Sequence, residues 1–208
     1  MKGKEAGYAS SSTGYEAVVM GGSAGGLKVF SAIAKALPRG FRIPILLVQH
    51  LHYEDDGAFA RHLAATSKLP VIEPCDKEPI AGGTVYVAPA GYHMLVEQDR
   101  TIALSTEEKV NWSRPSIDVL FETAARVWGE RVVAVILSGA SNDGTIGIEN
   151  VKSAGGLTIA QSPDSAEYPF MPCSAIDSGA VDEVLTLEQI IDRIAGLRLA
   201  NPNRQTTL

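Results

Sequence analysis

The sequence predicts an α/β layered fold with one embedded antiparallel hairpin, and three observations carry that expectation. Apolar residues recur as unbroken blocks, Ala17-Val-Val-Met20, Ile45-Leu-Leu-Val48 and Val132-Val-Ala-Val-Ile-Leu137. Continuous runs, unlike alternating ones, suit strands buried on both faces of a parallel sheet. Helix-compatible stretches follow these runs in alternation, as a layered α/β fold requires. Two shorter apolar segments, 94–96 and 101–104, flank a turn at Gln98-Asp99-Arg100 and read as the hairpin.

Taken in order, the expected sheet strands are residues 16–20, 44–49, 71–73, 84–88, 131–137 and 157–160. The expected helices are 27–37, 57–67, 116–128, 145–154 and 187–197. Residues 1–14 and 201–208 read as flexible tails around one catalytic domain over 15–200, with no internal repeat and no linker. At 208 residues the chain is long enough for one sizeable core.

Composition removes several function classes. The chain is 45% hydrophobic and 20% charged, and 18 Lys plus Arg against 24 Asp plus Glu give a net charge of −6. No basic stripe is present, so nucleic acid is not expected as a partner. The polar, Gly/Ser-rich start has no apolar core of a secretory leader. No apolar run approaches the ~20 residues that span a bilayer, so the chain is not expected to insert in a membrane. The two cysteines, Cys75 and Cys173, lack metal-ligand spacing and read as free thiols of a cytoplasmic protein.

The first apolar block ends in Gly21-Gly22-Ser23-Ala24-Gly25-Gly26. This is a G-x-S-x-G pattern between a strand and a helix, which exposes a serine hydroxyl on a sharp turn. A helix starting just beyond it leaves backbone N–H groups free to meet developing negative charge. Ser23 is therefore a candidate nucleophile; the plain alternative is a tight connection whose serine caps the helix. A dinucleotide loop does not fit, because Ala24 stands where glycine is needed, and no Gly-Lys-Ser/Thr follows for a Walker loop. The next strand ends in Gln49-His50 and not in an acidic ribose ligand.

Working residues of open α/β sheets gather at the C-terminal ends of the strands. Strand 44–49 delivers His50, and strand 131–137 delivers the small-residue loop Ser138-Gly-Ala-Ser-Asn-Asp143-Gly144. Ser23 and His50 flank one βαβ unit, which normally makes their strands neighbours. Each residue has a plain reading: His50 as a polar strand end, Asp143 as the N-cap of the following helix. A metal at His50 and His52 with Asp55 and Asp56 is a further alternative. Coincidence at three strand ends favours a Ser-His-Asp triad over three unrelated roles. The order Ser, His, Asp differs from that of α/β-hydrolases, which identifies the scaffold and not the chemistry.

These segments, together with Val87-Ala-Pro-Ala-Gly-Tyr-His93-Met94, Arg114-Pro-Ser-Ile-Asp118-Val-Leu-Phe121 and Phe170-Met-Pro172, resemble the catalytic domain of the CheB-type chemotaxis protein-glutamate methylesterases. The resemblance runs from about Glu16 to Ile194. It implies a three-layer α/β/α domain with a mainly parallel sheet, a Ser23–His50–Asp143 triad, and oxyanion donors at the Ala24 and Ala140 N–H groups. It implies no metal and no cofactor. The expected reaction is hydrolysis of glutamate γ-methyl esters on cytoplasmic helices of methyl-accepting chemoreceptors, with glutamine deamidation as a related activity. His93, Arg114 and Met171 are candidate substrate contacts, with a turn cap and an ion pair as plain alternatives for the first two. An esterase for another substrate and a non-catalytic docking module are the competing functions. The chain departs from the family pattern at Ala24 (often threonine), at Ser138, Ala140 and Ser141 (usually Thr, Met and Gly), and at Cys173 (usually arginine). The short segment before the first strand predicts a stand-alone form without the usual receiver domain.

Overall fold

The computed structural model describes residues 14–200, and the first apolar run forms strand β1, Ala17–Gly22, every residue of which is buried. The chain continues through α1 (Gly26–Ala36), β2 (Ile45–Gln49), α2 (Ala58–Thr66), β3 (Val71–Ile72) and β4 (Val85–Val87). The hairpin β5 (His93–Val96) and β6 (Ile102–Ser105) precedes α3 (Ile117–Trp128) and β7 (Val132–Ile136). Then come α4 (Thr145–Ser153), β8 (Leu157–Gln161), α5 (Phe170–Asp177), β9 (Glu183–Leu185) and α6 (Leu187–Ala195).

Seven strands pair in the order β3-β4-β2-β1-β7-β8-β9, all parallel, while β5 and β6 form a separate antiparallel pair. β1 lies between β2, with Gly22 opposite Gln49, and β7, with Gly21 opposite Ile136. From β1 the chain crosses to β2, and from β7 it crosses to β8 on the other side. The connections after β1 and β7 diverge, which opens a crevice at the C-terminal ends of these strands.

Alternation of side chains along fully buried strands divides the core into two. Val19, Leu46, Val48, Ala134 and Ile136 face a cluster with α3, α4, α5 and the hairpin residues Met94, Val96 and Ile102. Val18, Met20, Leu47, Val133 and Val135 face α1, α2 and α6. The expected three-layer α/β/α architecture with its hairpin is the observed one.

Two elements escape the sequence reading. β9 is a three-residue edge strand with a single buried residue, too short for periodicity to register. α5 carries Pro172 in its first turn, where the missing N–H costs little, so a segment absent from the expected helices is helical. The expected tails fall outside the described residues, except for Gly14, where an added Cβ would lie 2.5 Å from the backbone of Leu199.

Close approach of α3 is what shapes the site. A Cβ on Gly21 would collide with Ile117, so the glycine admits the start of α3 directly onto β1. A Cβ on Gly147 would lie 2.6 Å from Phe121 Cβ, so α3 and α4 meet almost backbone to backbone. Gly147→Ala sets a helix-propensity gain of about 1 kcal/mol against overpacking that costs about 1–3 kcal/mol. Urea denaturation is expected to show net destabilisation; a stabilised variant would mean that the interface opens freely.

Candidate active site

The residue after β1 is Ser23, and its backbone is held from three directions. Its N–H donates to Ser138 O at 2.9 Å, and its carbonyl accepts from Gly26 N–H at 2.9 Å and from Gln49 Nε2 at 2.8 Å. Helix α1 is capped by Gly25, whose φ of 78° lies in the left-handed region, and no side chain caps it. The alternative of Ser23 as a helix cap therefore does not hold. Among the described residues the Ser23 hydroxyl makes no hydrogen bond.

His50 follows β2, with its N–H donating to Gly22 O at 3.1 Å, so it emerges beside Ser23. Its ring Nε2 lies 2.8 Å from Asp143 Oδ2, and the Asp143 side chain is fully buried. An ionised carboxylate can only accept, which assigns the proton to Nε2 and leaves the lone pair on Nδ1. Nδ1 lies 3.5 Å from Ser113 Oγ. The structure thus brings His50 and Asp143 into contact and sets Ser23 at the adjoining strand end without a direct Ser23–His50 hydrogen bond. Such bonds are often long in the absence of substrate.

Asp143 does not cap its own helix. The cap of α4 is Gly144, at φ 99°. The Asp143 carboxylate turns instead to the N-terminus of α3, accepting from Ile117 N–H at 2.7 Å, Asp118 N–H at 3.2 Å and Ser116 Oγ–H at 2.8 Å. Asp118, in the first turn of α3, returns the exchange: its Oδ1 accepts from Gly144 N–H at 2.9 Å and Gly147 N–H at 2.6 Å at the start of α4. Burial alone would raise the Asp143 carboxyl, but hydrogen bonds from His50, Ile117 and Ser116 hold it below its ordinary value. Asp118 goes the other way, pushed up to about 6, chiefly by burial and further by the Asp143 charge, against the Gly147 N–H.

The loop after β7 is anchored to the serine turn. Ser138 is fully buried; its hydroxyl donates to Ala24 O at 2.8 Å and accepts from Tyr168 N–H at 3.0 Å. Its N–H donates to Oε1 of the buried Gln161 at 3.0 Å. Among the described residues the Ala24 and Ala140 N–H groups donate to no protein acceptor. Ser141 adopts no positive φ, so the loop does not require glycine there.

The three candidate substrate contacts each meet neighbouring protein groups. His93 is 2% exposed, with Nε2 3.0 Å from Glu108 O and Nδ1 accepting from Ser116 N–H at 3.2 Å. It braces the segment before α3 from below. Arg114 Nη1 donates to the carbonyls of Thr106 and Glu107 at 2.6 and 2.8 Å, pinning a loop. Met171 is buried against Gly139, and its N–H donates to Gly139 O at 2.9 Å. His93 and Arg114 thus brace loops beside the site, with Arg114 Nε buried and without a partner among the described residues, and Met171 packs beneath the loop after β7. His52 is exposed, stacks on Tyr53 and pairs with Glu54 at 3.6 Å, away from the His50–Asp143 contact. Among the described residues no group of three or more His, Cys, Asp or Glu is placed to hold a metal, and Cys75 and Cys173 are free.

The family model for the CheB methylesterase matches residues 18–194, which includes every element of the sheet apart from the first residue of β1. The chain belongs to the CheB methylesterase family. A relative from Leptospira interrogans is 47% identical over 178 residues, covering 86% of this chain and 92% of its own length. A protein-glutamate methylesterase/protein-glutamine glutaminase of Clostridium acetobutylicum is 36% identical over 184 residues, 88% of this chain but 53% of that protein. The crystal structure of the Thermotoga maritima CheB methylesterase catalytic domain superposes with a TM-score of 0.83 at 34% identity, covering 87% of this chain and 97% of that one. The chain thus spans nearly all of one relative and about half of the other.

Gln49, Asn111, Ser113, Ser116, Asp118 and Gln161 support the site without having been singled out by sequence reasoning. Ser116 and Asp118 lie in the segment Arg114-Pro-Ser-Ile-Asp118, where a serine and an acid at a helix start were the available signal. Asp118 also has a consequence for stability. A carboxyl whose folded value is raised contributes fully below its ordinary value of about 4, and that contribution is lost as pH rises through about 6. Asp118→Asn removes this loss, so its urea midpoint should gain on that of the parent between pH 4 and pH 7. An unchanged difference across that range would show that Asp118 carries no penalty.

Proposed function

We propose that this chain hydrolyses glutamate γ-methyl esters on cytoplasmic helices of chemoreceptors, and deamidates glutamines there, through Ser23, His50 and Asp143. The observation that carries the proposal is the 2.8 Å contact of His50 with a buried, multiply bonded Asp143, beside Ser23. The names of the relatives supply the substrate class. The site of action is cytoplasmic, and among the described residues no helix is long and apolar enough to cross a membrane.

In the first step His50 Nδ1 takes the Ser23 proton as Oγ attacks the ester carbonyl. Asp143 stabilises the imidazolium, and α3 in turn stabilises Asp143, since a helix N-terminus favours negative charge. The oxyanion is received by the Ala24 and Ala140 N–H groups, each such donor typically contributing about 3–4 kcal/mol. Collapse breaks the C–OCH3 bond, and the methoxide leaves as methanol with the proton from His50. Water then attacks the acyl-serine, with His50 again as base, to release glutamate. With glutamine the leaving group is ammonia.

Methanol release from a methylated receptor cytoplasmic fragment tests the reading. Ser23→Ala should abolish release, and Asp143→Asn should lower kcat by about 10⁴-fold. Release that survives in Ser23→Ala would sink the assignment of the nucleophile. Labelling by a serine-reactive phosphonate without methanol release would point to another ester, and neither signal to a docking module.

A further inference from the structure

Asp143 and Asp118 place two carboxylates in one buried pocket, and among the described residues one side chain, that of Asn111, hydrogen-bonds to both. Asn111 Nδ2 donates to Asp118 Oδ2 at 2.6 Å and to Asp143 Oδ1 at 3.2 Å. Its two amide protons give one bond to each acid while adding no charge. Among the described residues it is the sole donor to Asp118 Oδ2, because Oδ1 takes both N–H groups of α4. The remaining groups bonded to the pair are His50 from β2, Ser116 and the first N–H groups of α3, and the N–H groups at the start of α4; among the described residues no Lys or Arg pairs with either acid.

The backbone that presents Asn111 is built for the purpose. Val110 and Ser113 exchange hydrogen bonds at 3.2 and 2.9 Å, and Asn111 and Trp112 between them have φ of 48° and 64°. Left-handed φ at both central residues defines a type I′ turn, and asparagine is among the few side-chain-bearing residues that tolerate it. The turn also sets Ser113 Oγ 3.5 Å from His50 Nδ1, so one short hairpin meets the histidine at its free nitrogen and, through Asp143, behind its bonded one.

We propose that Asn111 is a positioning residue for the reaction: its amide bridges the two buried carboxylates and holds Asp143 in the orientation that aligns His50. This rests on His50 and Asp143 serving Ser23 as proposed above. The physical demand is repulsion between like charges in a buried pocket, which a neutral double donor relieves and a third acid would worsen. Loss of the donor disfavours the charged carboxylates, so the acid limb of the rate profile should move to higher pH.

The test is the rate of Ser23 modification by a serine-reactive phosphonate across pH 5 to 8, which needs no receptor substrate. Asn111→Gly keeps the turn's positive φ and removes only the amide. It should slow modification about tenfold, the loss expected of a hydrogen bond to a charged group, and raise the acid midpoint. In an Asp118→Asn background, which has no second charge to separate and where only the 3.2 Å bond to Asp143 is lost, the same change should cost only about threefold. Equal losses in both backgrounds with an unmoved pH profile would reduce Asn111 to a turn former and overturn the inference. A parent chain whose Ser23 is not labelled would remove the proposed function, and the inference with it.

Discussion

Two buried carboxylates, each seated on the start of the other's helix, organise the working end of this domain. Asp143 stands just before α4 but accepts the first N–H groups of α3, while Asp118 in α3 accepts those of α4. Every helix begins with amides that have no partner within it, and here each set is satisfied by an acid on the neighbouring element. The exchange fixes α3 against α4 and freezes the Asp143 carboxylate with one lone pair left for His50. Positive potential at both helix starts is what allows two acids to coexist so close together.

The capping exchange depends on backbone proximity, and glycines provide it. Gly21 lets Ile117 rest on β1, Gly147 lets α3 reach α4, and Gly144 supplies the left-handed residue that starts α4 where Asp143 must turn away. A helical glycine costs about 1 kcal/mol against alanine; the contacts won by Phe121 and by the Asp118 carboxylate offset it. His93 completes the arrangement from beneath, holding the Ser116 N–H that has no intrahelical acceptor.

The serine arm is supported separately. Gln49 ties the Ser23 carbonyl, Ser138 ties Ala24 and Tyr168, and Gln161 ties the loop after β7, all through side chains at strand ends. This explains why the chain accommodates its departures from the family pattern. A serine at position 138 still offers the hydroxyl that both neighbours use. A serine at position 141 meets no left-handed demand. The histidine and serine arms meet only at the ends of β1, β2 and β7, so their alignment is set by strand register.

Fold class and the edge of the sheet on which Ser23, His50 and Asp143 stand were legible in the chain's local pattern. Unbroken apolar runs specify strands buried on both faces, and the segments that follow β1, β2 and β7 emerge at the same end of the parallel sheet. These are local properties, written within a few residues of one another. Which helix Asp143 serves and which nitrogen of His50 it takes came from the packing of distant segments. That packing likewise made braces of His93, Arg114 and Met171, and formed β9 and α5 from segments with little periodicity. Those outcomes are hydrogen bonds and contacts between residues far apart in the chain, such as His50 and Asp143, 93 positions apart. A polar side chain's local pattern states only that it needs a partner; the packing of α3 and α4 onto the sheet decides which one it meets.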